Sequence, residues 1–117
     1  MSSASIRISA KQKKLAGTIQ LTGSKSESNR ALIMQSLSGG AVQIKNASEA
    51  ADTVTLLQVL QQKKTAGSGP QLADIGPAGT AMRFLTAYYT LQNGEVLLTG
   101  SARMKERPVA ILVDALK

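Results

Sequence analysis

Two stretches of this chain share one order of events, and that order restricts the fold more than any other feature of the sequence. Thr18-Ile19-Gln20-Leu21 alternates polar and apolar residues as a half-buried strand does. It breaks at Gly23 and re-enters as a helical run over 31–37 that stops at Gly39-Gly40. Ala41-Val42-Gln43-Ile44-Lys45 then alternates again as a strand. Leu72 to Ile75 is another short strand, broken over Gly76-Pro77-Ala78-Gly79 and followed by a helix from Thr80 to Thr90 with Met82, Leu85 and Tyr89 on one face. Asn93-Gly94 turns the chain, and Val96-Leu97-Leu98 is a strand closed by Gly100. Ile19 to Val42 spans 23 positions and Leu72 to Val96 spans 24, with Arg30 and Arg83 each near the start of its helix. Strand, glycine break, helix and strand, twice over, predict a repeated α/β unit.

The remaining segments fit around these two. Ser5-Ile6-Arg7-Ile8-Ser9 alternates as an opening strand, and Ala10 to Gly17 reads as a basic turn. Asn46 and Ser48 are candidate caps for a helix whose apolar face would be Ala50, Val54, Leu57 and Leu60. That helix would end in Gln61-Gln62-Lys63-Lys64, where cations complement its negative end. Thr65 to Pro70 is a loop. Pro108 suits the first position of a last helix, marked by Val109, Leu112, Val113 and Leu116. This stripe is uncapped at Lys117, and no linker divides the chain. Residues 1–117 are therefore expected to be part of one domain of a longer protein.

A strand that breaks at glycine and restarts as a helix leaves backbone N–H groups directed into the break, where anions bind readily. Three places add cations or hydroxyls to such positions: Lys25, Ser26 and Arg30; Gly79, Thr80 and Arg83; and Arg103, Lys105 and Arg107. Each also has a plainer reading. Ser26 or Ser28 can serve as an N-cap, Gly79 can merely suit its turn, and the run from Arg103 to Arg107 can be a solvated loop. The spacing excludes better-known alternatives. Ser24 separates Gly23 from Lys25, which defeats a Walker loop, and neither glycine break has the Gly-x-Gly-x-x-Gly spacing of a dinucleotide site. With no His and no Cys, nothing of that kind activates Ser26 as a nucleophile, and zinc and disulfides are equally unsupported.

A net charge of +7 calls for an anionic partner. The basic residues form no single dense run, however, and three aromatics cannot make a base-stacking platform, so small phosphorylated or carboxylated metabolites fit better than nucleic acid. The same scarcity of aromatics makes the core aliphatic. No apolar run approaches the roughly 20 residues that span a bilayer, and the N-terminus lacks a hydrophobic signal core, so a cytoplasmic protein is expected.

Three motifs carry a resemblance. Gly-Ser-Lys-Ser-x-Ser-Asn-Arg at 23–30, Ala-Gly-Thr-Ala-Met-Arg at 78–83 and Arg-Met-Lys-Glu-Arg-Pro at 103–108 closely resemble the 3-phosphoshikimate 1-carboxyvinyltransferase (EPSP synthase) family in order and near spacing. The sister UDP-N-acetylglucosamine enolpyruvyl transferases usually carry Lys-Asn where this chain has Lys25-Ser26. The resemblance implies a two-domain enzyme of repeated β-α-β-α-β-β units with the active site between the domains. Such an enzyme joins phosphoenolpyruvate to the 5-hydroxyl of shikimate 3-phosphate and releases phosphate, with no metal or organic cofactor. Carried over by motif, Lys25 would touch both substrates, and Ser26 and Arg30 would hold the shikimate moiety. Gly79 would offer backbone to phosphoenolpyruvate, and Arg107 would pair with its charged groups. Thr80, Arg83, Arg103 and Lys105 would support them.

Pro77 stands where the family commonly has Asn, Phe84 where it has Pro, and only Asp52 matches the usual acidic pair. The family's acid/base residues lie in the other domain. The chain is thus expected to be an inactive N-terminal piece, to need that C-terminal domain as partner, and to be open to self-association. A basic nucleic-acid-binding module and a non-catalytic phosphate-binding domain are the rival readings.

Overall fold

The computed structural model describes residues 4–62 and 69–117. The expected cationic helix end at Lys63-Lys64 and most of the loop from Thr65 lie outside the described residues.

The centre is a parallel pair of short strands, β1 (Gln71–Asp74) and β2 (Val96–Thr99), in register from Gln71 opposite Val96 to Asp74 opposite Thr99. Parallel neighbours cannot be joined by a tight turn and need a crossover. Here α3 (Gly79–Tyr89) supplies it. Ala73 and Ile75 point inward and are fully buried, whereas Leu72 and Leu97 on the other face are largely exposed. α3 buries Ala81 and Leu85 against the sheet, with Met82 and Tyr89 only half-buried, so its inner stripe is turned slightly from the expected one.

Two further helices complete the layer. α1 (Lys25–Leu37) is capped by Ser24, whose hydroxyl accepts from the Glu27 amide at 3.4 Å. It stops where expected: the amides of Ser38 and Gly40 donate to the carbonyls of Met34 and Gln35, both at 3.0 Å. Gly39 and Gly40 there have φ of 64° and 88°, a conformation that suits glycine. α2 (Ala51–Gln61) buries Thr53, Leu56 and Val59. Val54, expected inside, is 42% exposed. Thr53, invisible to a count of apolar residues, takes the inner position, and the buried stripe follows it.

The polarity of these helices matters for the site. The end of α2 (Val59, Gln62), the end of α3 (Tyr88, Tyr89) and the beginnings of both strands (Gln71, Val96) line one small cavity. α2 and α3 therefore run against the strands, and their N-termini lie toward the end where β1 and β2 finish. The N-terminus of α1 joins that of α2 through an ion pair from Lys25 to Asp52. A short α4 (Ala102–Lys105) and α5 (Ala110–Leu116) follow β2. The core of Leu32, Leu56, Val59, Ala73, Ile75, Ala78, Ala81, Leu85 and Met104 is entirely aliphatic.

Three expected strands do not form. Residues 5–9, 18–21 and 41–45 lack strand pairing, and Ile6, Ile8, Ile19 and Leu21 are 76 to 91% exposed. A Cα radius of gyration of 19.0 Å, against roughly 13 Å for a compact chain of similar size, reflects this N-terminal arm. Alternation marks a chain able to pair, but a strand exists only beside a neighbour that takes its hydrogen bonds. The β-α-β-α-β-β repeat is accordingly not seen, and among the described residues one β-α-β unit closes. The last helix also begins later than expected. Val109 is its N-cap, so Pro108 precedes the helix instead of opening it.

Candidate functional site

The site is built where β1 and β2 end. The Asp74 carboxylate accepts from the Gly76 amide at 2.8 Å, which turns the chain out of β1, and Gly76 takes φ 53°. The Ser101 amide donates to the Gly76 carbonyl at 2.9 Å, knitting the turn after β1 to the loop after β2. Ser101 also caps α4, its hydroxyl accepting from the Met104 amide at 3.3 Å. Met104 is buried, and its side chain packs on Gly100 and toward Gly79.

This anchored loop carries Arg107 onto the start of α3. A Cβ built on Gly79 would lie 2.5 Å from Arg107 Nη1, so the guanidinium occupies the space that any side chain at 79 would need. A side chain at 79 would therefore have to displace the tip of Arg107, whereas the turn itself is made by Gly76. Two motifs 28 positions apart meet here.

Arg83 has a different position from the one its sequence context suggests. Its Nη1 donates to the Gly79 carbonyl at 3.3 Å and its Nη2 to the Pro108 carbonyl at 3.4 Å. Arg30 lies across a groove from it, between α1, α3 and α5, with Ile33, Phe84 and Leu112 among the walls. Arg30 and Arg83 thus line the same groove, and Arg83 is linked by its bond to the Gly79 carbonyl to the place where Arg107 lies.

Lys25 and Ser26 stand at the start of α1. The Lys25 ammonium is 3.3 Å from Asp52 in the first turn of α2, and both groups retain solvent contact. Neither expected serine is the cap of α1. Ser24 fills that place and leaves Ser26 exposed, while Ser28 is buried and its hydroxyl accepts from the Ser48 amide at 2.9 Å. Gly23 passes so close to the Asn46 carbonyl that no side chain fits there. Thr80, Arg103 and Lys105 are exposed near the start of α3 and on α4. The structure thus brings together Gly79, Arg83 and Arg107, sets Arg30 across the groove from Arg83, and holds Lys25 beside α2 with Ser26 next to it.

Some contributors carried little sequence signal. Met104 anchors the loop, yet it sits in a run dominated by charge. Asn29 is 1% exposed, and both its amide atoms, like the Thr53 hydroxyl, have no partner among the described residues. Its inward phase on α1, between Ser28 and Leu32, was readable, but its burial without a partner was not. Tyr89, at the opposite end of the layer, has its pKa raised above 10.0 by burial and then by Tyr88. Among the described residues no group of three or more carboxylates, histidines or cysteines could hold a metal, and no helix is long and apolar enough to cross a membrane.

Comparison with known proteins bears on what these cations serve. The family model described as EPSP synthase (3-phosphoshikimate 1-carboxyvinyltransferase) matches residues 9–117. A 3-phosphoshikimate 1-carboxyvinyltransferase of Bacteroides fragilis (strain YCH46) is 46% identical over 103 residues, covering 88% of this chain and 24% of the relative. One from Yersinia pestis bv. Antiqua (strain Angola) is 39% identical over 121 residues, covering 86% and 28%. One from Hamiltonella defensa is 38% identical over 124 residues, covering 89% and 29%. The chain spans about a quarter of the length of these curated relatives. No solved structure gave a significant match.

Proposed function

The chain belongs to the EPSP synthase family, and from that membership we propose that it supplies one wall of a site transferring the enolpyruvyl group of phosphoenolpyruvate to the 5-hydroxyl of shikimate 3-phosphate. Phosphate is the leaving group. Two anionic substrates repel each other, so their approach requires cations on both sides, and charge developing in a tetrahedral adduct is best met by donors already in place. Lys25 touches both substrates in this reading. Ser26 and Arg30 hold the shikimate moiety, the Gly79 backbone receives phosphoenolpyruvate, and Arg107 pairs with its charged groups. Thr80, Arg103 and Lys105 add positive potential or hydroxyl contacts at the margin.

The observation that carries the proposal is the Arg107 guanidinium lying directly on Gly79 at the N-terminus of α3. An arginine can offer two parallel N–H groups and a helix N-terminus leaves backbone N–H groups unpaired, and side by side these suit a phosphate or carboxylate. The chain spans about a quarter of its curated relatives' length, and it is expected to give no turnover without the remainder of the enzyme. In that whole, we expect the repeated β-α-β-α-β-β architecture to complete the strands that stay unpaired here. The exposed apolar side chains of the N-terminal arm also favour self-association of the isolated chain. A cytoplasmic location fits such an enzyme.

Titration of the chain with shikimate 3-phosphate, with and without phosphoenolpyruvate, tests the reading. Saturable shifts centred on Arg30 and Arg107, strengthened by the second ligand, are expected. Steeply salt-dependent binding to any DNA or RNA, with no response to either metabolite, would replace it with the nucleic-acid reading. Product formation by the isolated chain would remove the inactivity claim.

A further inference from the structure

We infer that Arg83 is a positioning residue: it clamps the loop after β2 to the first turn of α3 and thereby sets the Arg107 guanidinium over Gly79. The functional part of this role rests on the reading of Arg107 above.

The argument begins with where the donors of Arg83 go. A guanidinium that serves an anion keeps its paired N–H groups free for two oxygens. In Arg83 each terminal nitrogen donates one N–H to a backbone carbonyl, Gly79 at 3.3 Å and Pro108 at 3.4 Å, which ties the planar fork to two backbone segments at once. One acceptor is the residue beneath Arg107, and the other immediately follows Arg107 in the chain. Arg83 therefore spans the two surfaces whose relative position decides where the Arg107 guanidinium lies.

The rest of the loop explains why such a clamp is needed. Its beginning is held by the bond from Ser101 to Gly76 and its middle by buried Met104. Arg107 itself donates its amide to Met104 at 3.1 Å. Beyond it, Pro108 has no N–H to donate, and α5 starts only at Ala110 and buries none of its residues. α5 itself lies against α3, with Leu112 half-buried in the groove, so on the stretch between Met104 and that contact Arg83 ties the chain carrying Arg107 to the first turn of α3. A planar fork can hold two carbonyls at once, which a lysine ammonium on a flexible stem does less well.

The test uses this chain with Arg83→Ala, Arg83→Lys and Arg83→Gln, observed by side-chain Nε–Hε resonances of arginine and by amide hydrogen exchange. In Arg83→Ala the ligand-free Arg107 resonance should move to that of a solvated arginine. Exchange at the Arg107 and Val113 amides should quicken by about tenfold, with α1 unchanged. Arg83→Lys should recover part of both effects and Arg83→Gln less. An unchanged ligand-free Arg107 resonance with unchanged exchange, in whichever of the three variants keeps α1 protected, overturns the clamp.

Titration with phosphoenolpyruvate, and with inorganic phosphate as a simpler probe, separates the clamp from the proposed function. Loss of the response in Arg83→Ala while ligand-free Arg107 stays in place would make Arg83 a ligand and overturn the inference. A native chain whose Arg107 answers neither anion defeats the functional reading, and the ligand-free resonances still decide the clamp.

Discussion

Residues 19–42 and 72–96 follow the same plan, yet only the second closes. Gly23, Ser28, Arg30 and Leu32 recur at a constant offset as Gly76, Ala81, Arg83 and Leu85, and the buried pairs match: Ser28 with Ala81, Leu32 with Leu85. Both helices form. Both strands of the second stretch pair, whereas Ile19 and Leu21 of the first lie 82% and 76% exposed and residues 41–45 form no strand among the described residues. A helix closes its hydrogen bonds within itself and needs only local start and stop signals. A strand depends on an edge that some other part of the chain must supply. The first stretch therefore reads as a unit whose sheet partners are not among the described residues, and the second as one that carries its own.

The strongest way to break that contrast is to remove equivalent apolar bulk from each stretch. Ile75 is fully buried, and Ile75→Ala should cost about 2–5 kcal/mol in urea unfolding, cavity included. Ile19→Ala should change stability by no more than about 0.5 kcal/mol, as surface substitutions usually do. If the two variants lose comparable stability, the N-terminal arm packs in solution and the contrast fails.

The glycines sharpen it next. A Cβ at Gly23 would meet the Asn46 carbonyl, part of the backbone, while one at Gly79 would meet only the tip of the Arg107 side chain. Gly23→Ala should therefore destabilise by about 1–3 kcal/mol, a typical cost of overpacking. Gly79→Ala should cost less than about 1 kcal/mol, because a flexible arginine can swing aside. The displaced guanidinium should instead weaken phosphoenolpyruvate binding by about tenfold. Unfolding curves and titrations on the same two variants check both halves. A Gly79→Ala chain that keeps its affinity would detach Arg107 from the proposed site.

The same contrast explains what could be read in advance. The break at Gly76 to Gly79, the stop at Gly39-Gly40 and the short strands near 72 and 96 each follow from local chemistry, and all appear in the structure. The strands at 5–9, 18–21 and 41–45 were misread because alternation reports a capacity to pair and not a partner. The identity of the cap was missed among Ser24, Ser26 and Ser28, since one hydroxyl per turn reaches the free amide and spacing alone does not choose it. At the site, the motifs located the cations, and the meeting of Arg107 with Gly79 fits them. The commitment of Arg83 to two carbonyls was not legible, because a cation near a helix start looks the same whether it serves an anion or the backbone.

The two glycine breaks also differ in what closes over them. The first is bridged by Lys25 and Asp52, a partly exposed pair at 3.3 Å, and the second by arginine bonds to backbone. Exposed ion pairs contribute little, because water screens them and two long side chains lose freedom. Asp52→Asn should change stability by less than about 1 kcal/mol, and added salt should shrink even that. A larger, salt-resistant loss would mean that Asp52 serves the interior of the α1–α2 contact, where Asn29 and Thr53 hold unpartnered polar atoms.

The smallest expected effect separates the far ends of the two helices. α1 ends at Ser38-Gly39-Gly40, with nothing that titrates, while α3 ends at Tyr88 and Tyr89, rings packed edge to face at 5.3 Å. Burial first, and Tyr88 second, raise the Tyr89 pKa above 10.0. Because the folded chain resists the phenolate more than the unfolded chain does, this group favours folding fully below its ordinary value. That contribution is lost as pH rises through the higher folded value. Alkaline titration should therefore loosen the end of α3 before α1, a difference visible as faster amide exchange near residues 88–91. Tyr89→Phe should flatten the alkaline decline while leaving neutral stability almost unchanged. The effect stays small because Tyr89 is only half-buried, where water screens much of the penalty. If Tyr89→Phe left the alkaline decline as steep as before, Tyr89 would not be its source, and the two helix ends would no longer differ in this respect.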